Sequence, residues 1–222
     1  MQKPGLLVNA LFPEGVVCAL CNQEAVVGSD GMCAACRAAL ARCPRALNAP
    51  AGLDGLAAGL IYNEALEAAV HRFKYRRQVW LAPFFAGFIE LPADWRIDCL
   101  IPVPLHPLRQ WLRTFNQSEL LARALQTRYP LPIRRDLLHR TRYTAPQAKL
   151  DAARRAVNLT GAFSANTRAN GLSVLLIDDV TTTHNTLQSC AAALRRTGAM
   201  RVYAACACLA GREEAPASRT QK

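Results

Sequence analysis

Two adjacent carboxylates, Asp178 and Asp179, follow a short apolar run and precede a segment rich in threonine. Carboxylates in this position suit the hydroxyl groups of a ribose or a bound Mg²⁺. Hydroxyl side chains and the unpaired N–H groups of a helix that begins here can hold a phosphate, aided by the helix dipole. The spacing therefore predicts a cradle for a sugar phosphate. The predicted cradle consists of Asp178, Asp179, Thr182, Thr183, His184, Asn185 and Thr186.

The elements that flank the cradle must place it at the edge of a sheet. Residues 174–177 are all apolar, and a run this short between polar residues predicts a strand that is buried on both faces. The pattern from Leu187 to Arg196 predicts a helix that ends at Gly198. In an open α/β sheet, ligands bind outside the carboxyl ends of the strands. The sequence therefore predicts an α/β fold with the cradle at its binding edge.

The segment from Val174 to Thr186 resembles the phosphoribosyl-pyrophosphate (PRPP) motif of type I phosphoribosyltransferases, which has four hydrophobic residues, two acids and a loop rich in threonine and glycine. The resemblance implies a doubly wound sheet and a site for PRPP with Mg²⁺. The resemblance also implies that Asp178 and Asp179 are catalytic residues, which hold the ribose hydroxyls of PRPP. Thr182 stands where some nucleobase-specific members have an acid that assists proton transfer. The acceptor of a transfer reaction is therefore not indicated.

His184 stands in the loop position where phosphoribosyltransferases usually have glycine. A left-handed backbone conformation there costs a non-glycine residue on the order of 1 kcal/mol. Its Cβ would also crowd a ligand, whereas an imidazole beside a phosphate can become cationic and hold it. Both effects on PRPP affinity stay open at this point, and a gain in affinity on His184→Gly would mean that the natural loop is impaired.

More of the chain is similar to the ComF/GntX family of competence and DNA-utilisation proteins. A predicted strand ends in Pro102-Val103-Pro104, and the family's Arg-Gly-Phe-Asn-Gln signature is matched at residues 113–117 except for Thr114. If the family needs a positive φ there, a β-branched residue is poorly suited. The resemblance implies a role in DNA uptake, natural competence or DNA utilisation. A third family pattern is matched by Arg140, Arg142, Thr144, Gln147, Arg155, Asn158, Ala162 and Phe163.

Four cysteines near the N-terminus form two CxxC pairs, Cys18/Cys21 and Cys33/Cys36, with eleven residues between the pairs. This spacing predicts a structural zinc site, because four thiolates complete the tetrahedron and leave no open position. A segment this short has no core of its own, so the metal would contribute most of its folding free energy. The alternative is four buried free thiols. Cys43 is predicted to be an unligated remnant of a further pair.

The chain carries a net charge of +11, and residues 103–160 contain eleven Lys/Arg against three Asp/Glu. Such a surplus indicates an anionic partner, polyphosphate or nucleic acid, unless it is simply a solvated basic face. The alternative function is therefore a non-catalytic protein that binds single-stranded nucleic acid through its basic face. DNA-uptake or helicase proteins are further possible partners. The predicted nucleic-acid-binding residues are Arg109, Arg113, Asn116, Arg140, Arg142, Gln147 and Arg155.

We predict a zinc ribbon over residues 1–46, a phosphoribosyltransferase-like domain over residues 47–211 and a disordered tail over residues 212–222. No apolar run approaches the roughly 18 residues of a membrane span, and no secretory signal opens the sequence, so the expected location is the cytoplasm. Other predicted elements are strands Leu56–Tyr62, Asp98–Pro104, Leu131–Arg140 and Met200–Leu209, and helices Asn63–Tyr75, Val79–Glu90 and Ser118–Arg128.

Overall fold

A computed structural model describes residues 17–45, 47–106, 114–142 and 161–211. Its centre is a four-stranded sheet with the order β1-β6-β5-β2, in which all neighbouring strands are parallel. The strands are β1 (Gly55–Ile61), β2 (Cys99–Pro102), β3 (Leu138–Arg140), β4 (Phe163–Ala165), β5 (Ser173–Thr181) and β6 (Arg201–Leu209). The α-helices are α1 (Ala34–Ala39), α2 (Glu64–Tyr75), α3 (Leu81–Ala86), α4 (Gln117–Gln126) and α5 (Asn185–Arg196).

Both faces of the sheet are covered, which confirms the predicted α/β class. On one face, α2, α3 and α4 contribute buried residues such as Phe73, Phe85 and Leu121. On the other face, α5 packs with the antiparallel β3–β4 pair, and Leu194 and Phe163 are buried there. A strand buried on both faces must be apolar throughout. Residues 174–177, in the middle of the sheet, are fully buried, which explains why all four are apolar.

Two predicted elements are shorter than expected. The helix predicted over Val79–Glu90 is only α3 (Leu81–Ala86), since Gly87 follows it and glycine is a poor helix former. The strand predicted over Leu131–Arg140 is reduced to β3. The first half of the predicted strand makes a single β-bridge, between Leu100 and Ile133. Pro132 has no N–H group, so the hydrogen-bonded pairing of strands cannot continue through it. Within the described ranges, no helix has the length and apolarity that crossing a membrane requires.

The cysteine-rich ribbon, of which residues 17–45 are described, packs against the α/β domain that follows it. Cys18, Leu20 and Met32 are buried in the same hydrophobic cluster as Leu66 and Phe73 of α2. The ribbon therefore shares a core with the domain that follows it. The domain boundaries predicted at residues 46 and 211 stay predictions.

Thr114 has a φ of 67°, so its backbone is left-handed, as expected if the family's glycine serves this conformation. A β-branched residue in this region is strained. We expect Thr114→Gly to raise the free energy of unfolding by about 1 kcal/mol, the relief of strain being partly offset by the greater freedom of glycine in the unfolded chain. Urea denaturation measures this change.

Thr127 provides the matched control for that substitution. Its φ is −67°, so glycine relieves no strain there, and Thr127→Gly is expected to lower the free energy of unfolding by about 1 kcal/mol. Equal losses of stability in both variants would show that the left-handed turn at Thr114 is unstrained.

Candidate functional site

Asp178 and Asp179 lie at the carboxyl end of β5, beside the carboxyl end of β2. Pro102 of β2 pairs with Ile177, and the N–H of Val103 donates to the Ile177 carbonyl at 2.9 Å. The Pro-Val-Pro segment is therefore fixed next to the two acids. All four strands of the sheet are parallel, so their carboxyl ends share this edge. The structure thus brings together the acid pair and the proline-ended strand.

The Asp178 carboxylate is held by neighbours from two elements. The Ser118 hydroxyl at the start of α4 donates to Asp178 Oδ1 at 3.1 Å. The backbone N–H of Asp179 donates to the same oxygen at 2.9 Å. Hydrogen bonds from ordered groups fix the direction in which a carboxylate points. Asp178 is therefore positioned before any ligand arrives.

Lys74 places a cation against the second acid. Its Nζ lies 3.2 Å from Asp179 Oδ2, and both side chains are largely buried. The side chain of Gln117, itself 1% exposed, donates to the Lys74 carbonyl at 3.2 Å and ties the end of α2 to α4. Sequence reasoning placed Lys74 near the end of the predicted helix Asn63–Tyr75, where the helix dipole alone favours a cation. It missed the contact with Asp179, and nothing local in the sequence indicated Ser118.

Burial of the Asp178 carboxyl, together with the adjacent Asp179, raises its pKa to about 7. Because this pKa is raised, the folded protein holds a proton that the unfolded chain has lost between about pH 4 and pH 7. Stability is therefore expected to fall as the pH rises through this window. We expect Asp178→Asn to be more stable than the wild type at pH 8, by on the order of 2 kcal/mol, with the difference vanishing near pH 4.

Denaturant titrations at several pH values check this prediction. Asp98→Asn is a suitable control, since Asp98 lies at the opposite edge of the sheet, where it accepts a hydrogen bond from the Ser173 N–H. A stability difference between Asp178→Asn and the wild type that does not change from pH 4 to pH 8 would contradict the raised pKa.

The loop after the acids enters α5 through a left-handed residue. His184 is the residue before the helix and has a φ of 59°, so the strain expected from a non-glycine residue is present. Its Nδ1 lies 3.1 Å from the Thr181 hydroxyl, within hydrogen-bond distance. The Thr183 hydroxyl is buried without a hydrogen-bond partner, while Thr182 is exposed. The loop thus keeps a donor available at the helix entrance.

Of the residues predicted to bind nucleic acid, the structure describes three. Asn116 caps α4 by accepting from the Ser118 N–H at 3.0 Å, and its amide donates to the Val103 carbonyl at 3.0 Å. Arg140 lies over the ring of Phe163, and Arg142 is exposed. Asn116 and Arg140 line a cavity of about 240 Å³ beside Pro102 and Pro104. The other four, Arg109, Arg113, Gln147 and Arg155, lie outside the described residues.

The four ribbon cysteines form a candidate metal centre. Their sulfur atoms all lie within 4.8 Å of one another. Burial works to raise the pKa of the Cys18 thiol. Hydrogen bonds from the backbone of Cys33, Cys21 and Leu20 outweigh burial and lower this pKa to about 6, which favours the thiolate that binds metal. Four clustered thiols, one already inclined to ionise, fit a zinc ion.

Arg72 connects the ribbon to the acid pair. Its guanidinium donates to the carbonyls of Ala19 and Leu20 at 2.8 and 2.7 Å, inside the first CxxC pair. Arg72 and Lys74 lie in the same last turn of α2. The ribbon and the Lys74–Asp179 contact therefore share one helical turn.

Comparison with known proteins gives related proteins over most of the chain. It is 33% identical over 148 residues to competence protein F of Haemophilus influenzae, a match that covers 62% of this chain and 65% of that protein. It is 29% identical to the DNA utilization protein YhgH of Salmonella typhimurium, with 86% of this chain and 96% of that protein covered. It is 30% identical to competence protein ComFC of Bacillus subtilis, with 62% and 56% covered.

Among solved structures, a glutamine PRPP amidotransferase from B. subtilis, complexed with ADP and GMP, covers 62% of this chain at 19% identity with a TM-score of 0.39. No family model matches the chain. The element order described above defines an α/β protein with a parallel sheet, two acids at the carboxyl end of a central strand before a helix, and a cysteine-rich ribbon. The relatives just named, which are competence and DNA-utilization proteins, support the resemblance of this chain to the ComF family.

Proposed function

We propose that the edge formed by Asp178, Asp179 and the residue 182–186 loop binds PRPP with Mg²⁺, and that this binding serves DNA uptake or DNA utilisation. The observation that carries the proposal is the positioned acid pair, with Lys74 on Asp179 and Ser118 on Asp178. A ribose presents two adjacent hydroxyl donors, and two adjacent carboxylates present matching acceptors.

The charge at this edge supports a divalent cation. Two carboxylates face one ammonium, and burial together with the neighbouring Asp179 raises the pKa of Asp178 to about 7. A Mg²⁺ ion, when bound, would neutralise the negative charge on a diphosphate leaving group. Asp178 and Asp179 are the residues that would hold the ribose and the ion. Their oxygen atoms are the ligands that Mg²⁺ prefers.

The 5′-phosphate and the diphosphate of PRPP would bind at two separate positions along this edge. The 5′-phosphate would lie on the loop that enters α5, where the Thr183 hydroxyl has no hydrogen-bond partner and the first N–H groups of the helix point outward. The diphosphate would lie beside Pro102 and Pro104, in the cavity that Arg140 lines. This arrangement keeps the two anionic ends of the ligand apart and gives each a donor.

Binding rather than nucleobase transfer suits the residues present. Thr182 stands where an acid assists proton transfer in some nucleobase-specific phosphoribosyltransferases, and it is exposed. The related proteins are named for competence and DNA utilisation. The proposed role of the site is therefore to bind PRPP in support of DNA handling.

Isothermal titration calorimetry tests the proposal. We expect PRPP to bind the wild-type protein in the presence of Mg²⁺ and to bind much more weakly when Mg²⁺ is omitted. Ribose 5-phosphate, which lacks the diphosphate, should also bind more weakly than PRPP. The absence of any heat with PRPP and Mg²⁺ would refute the proposal.

A further inference from the structure

The segment between α2 and α3 exposes aromatic rings among cations. Residues 71–80 contain four Lys/Arg and no carboxylate. The exposed fraction is 56% for Tyr75 and 49% for Trp80, which is high for such large rings. We define the 71–80 surface as the exposed side chains of His71, Tyr75, Arg76, Arg77, Val79 and Trp80.

This surface is held in shape by its own contacts. The rings of His71 and Tyr75 lie one helical turn apart, with centroids separated by 4.9 Å and planes tilted by 45°, so the two rings support each other. Arg77 has a φ of 54° and turns the chain from α2 towards α3. Arg72 fixes the turn from inside, since its Nε donates to Gln78 Oε1 at 2.9 Å. A surface that is already ordered loses little entropy when it binds a ligand.

Rings and cations together suit one class of ligand. Exposed aromatic side chains can stack on bases, and Arg76 and Arg77 can neutralise the phosphates between those bases. Stacking requires unpaired bases, which a duplex does not offer. Protein interfaces are also rich in Tyr, Trp and Arg, but their centres are depleted of charge, whereas residues 71–80 contain four cations and no carboxylate. We propose that the 71–80 surface binds single-stranded DNA.

The position of the surface relates it to the acid pair. Lys74 and Tyr75 are adjacent in the last turn of α2, with Lys74 directed to Asp179 and Tyr75 exposed. A single strand of DNA that is bound to this surface would therefore lie beside the carboxyl edge of the sheet. The assignment of DNA rather than RNA as the ligand rests on the proposed function in DNA uptake or utilisation. Binding at the 71–80 surface does not depend on PRPP binding.

Fluorescence anisotropy with a labelled oligothymidylate of about 20 nucleotides, longer than a typical single-strand site, tests the inference on the full-length, metal-loaded protein. We expect Tyr75→Ala and Trp80→Ala each to weaken binding at least about fivefold, from the loss of one stacked base. Trp80→Phe, which keeps a ring, should retain most of the affinity. Arg76→Ala/Arg77→Ala should reduce the slope of log affinity against log salt by about 1.4.

The matched control removes one cation and one exposed apolar side chain elsewhere. Arg196 and Met200 are exposed at the end of α5 and the start of β6, and Arg196→Ala/Met200→Ala should leave DNA affinity unchanged. Calorimetry with PRPP on the Tyr75 and Trp80 variants should match the wild type, which separates this surface from the PRPP site.

Three results would overturn the inference. The first is no binding of the oligothymidylate at low salt. The second is unchanged affinity in the Tyr75, Trp80 and Arg76/Arg77 variants, which would assign the surface to a protein partner. The third is tighter binding of the matching oligouridylate, which would assign the surface to RNA.

Discussion

The variant Asp178→Asn/Asp179→Asn is expected to lose at least about a hundredfold in affinity for PRPP with Mg²⁺. Each acid would give a ribose hydroxyl or the metal a charge-assisted contact, and such contacts contribute roughly 1.5–3 kcal/mol each. Two of them together amount to a factor of about a hundred or more. Calorimetry and the Mg²⁺ dependence of binding measure the change.

This loss should not come from unfolding. Asparagine keeps the shape of aspartate, and the Ser118 hydroxyl, which donates to Asp178 in the wild type, can still donate to the amide oxygen of an asparagine at this position. A control with the same charge change is Glu64→Gln/Asp94→Asn, since both of these acids are exposed. Affinity that survives in the Asp178/Asp179 variant, or falls equally in the control, would contradict a specific role for the acid pair.

Removal of metal from the ribbon is expected to destabilise the whole protein. Without the ion, the four thiols, which lie within 4.8 Å of one another, lose the ligand that would join them. The buried residues Leu20 and Met32 would then leave the core that they share with α2. Structural zinc sites contribute an apparent free energy of roughly 10–16 kcal/mol in small peptides, so a decrease of well over about 10 °C in the melting temperature is expected on chelation.

Cys33→Ser/Cys36→Ser should reproduce the effect of the chelator, and elemental analysis should find about one zinc per wild-type chain. Cys43→Ser is the matched control. Cys43 is half-buried and lies outside the four-cysteine cluster, so this change is expected to alter stability by no more than about 1 kcal/mol. A wild-type protein that contains no zinc and melts normally with chelator would refute the metal centre.

Loss of the metal from the ribbon should also weaken binding at the proposed PRPP site. Arg72 donates to the Ala19 and Leu20 carbonyls of the ribbon and lies in the same turn of α2 as Lys74. When those acceptors move, the last turn of α2 loses two hydrogen bonds of the half-buried Arg72 guanidinium. Weaker PRPP binding is therefore expected to accompany metal loss, at temperatures where the body is still folded.

Local patterns made the central strand and the metal ligands predictable. The apolar run 174–177 followed by two acids specifies a buried strand with a polar end, and the spacing of the two CxxC pairs predicts that the four sulfur atoms lie close together. The left-handed conformations at Thr114 and His184 followed from the resemblance, because glycine usually occupies both positions in similar proteins. The structure places both residues at positive φ.

Contacts between distant parts of the chain were beyond prediction. Lys74 meets Asp179, and Ser118 meets Asp178, only because α2 and α4 pack on the same face of the sheet. A single sequence shows the cation at a helix end, where the helix dipole alone explains it. The exposure of Tyr75 and Trp80 is equally hidden, since aromatic residues in a sequence are usually assigned to a core.

The most direct test of the central claim is a phosphorus-31 NMR titration of PRPP with wild-type protein and Mg²⁺. The proposed site predicts that the 5′-phosphate and both diphosphate signals broaden or shift together, and that the diphosphate signals change much less when Mg²⁺ is omitted. PRPP signals that do not change at a stoichiometric concentration of zinc-loaded protein would contradict a PRPP site at Asp178 and Asp179.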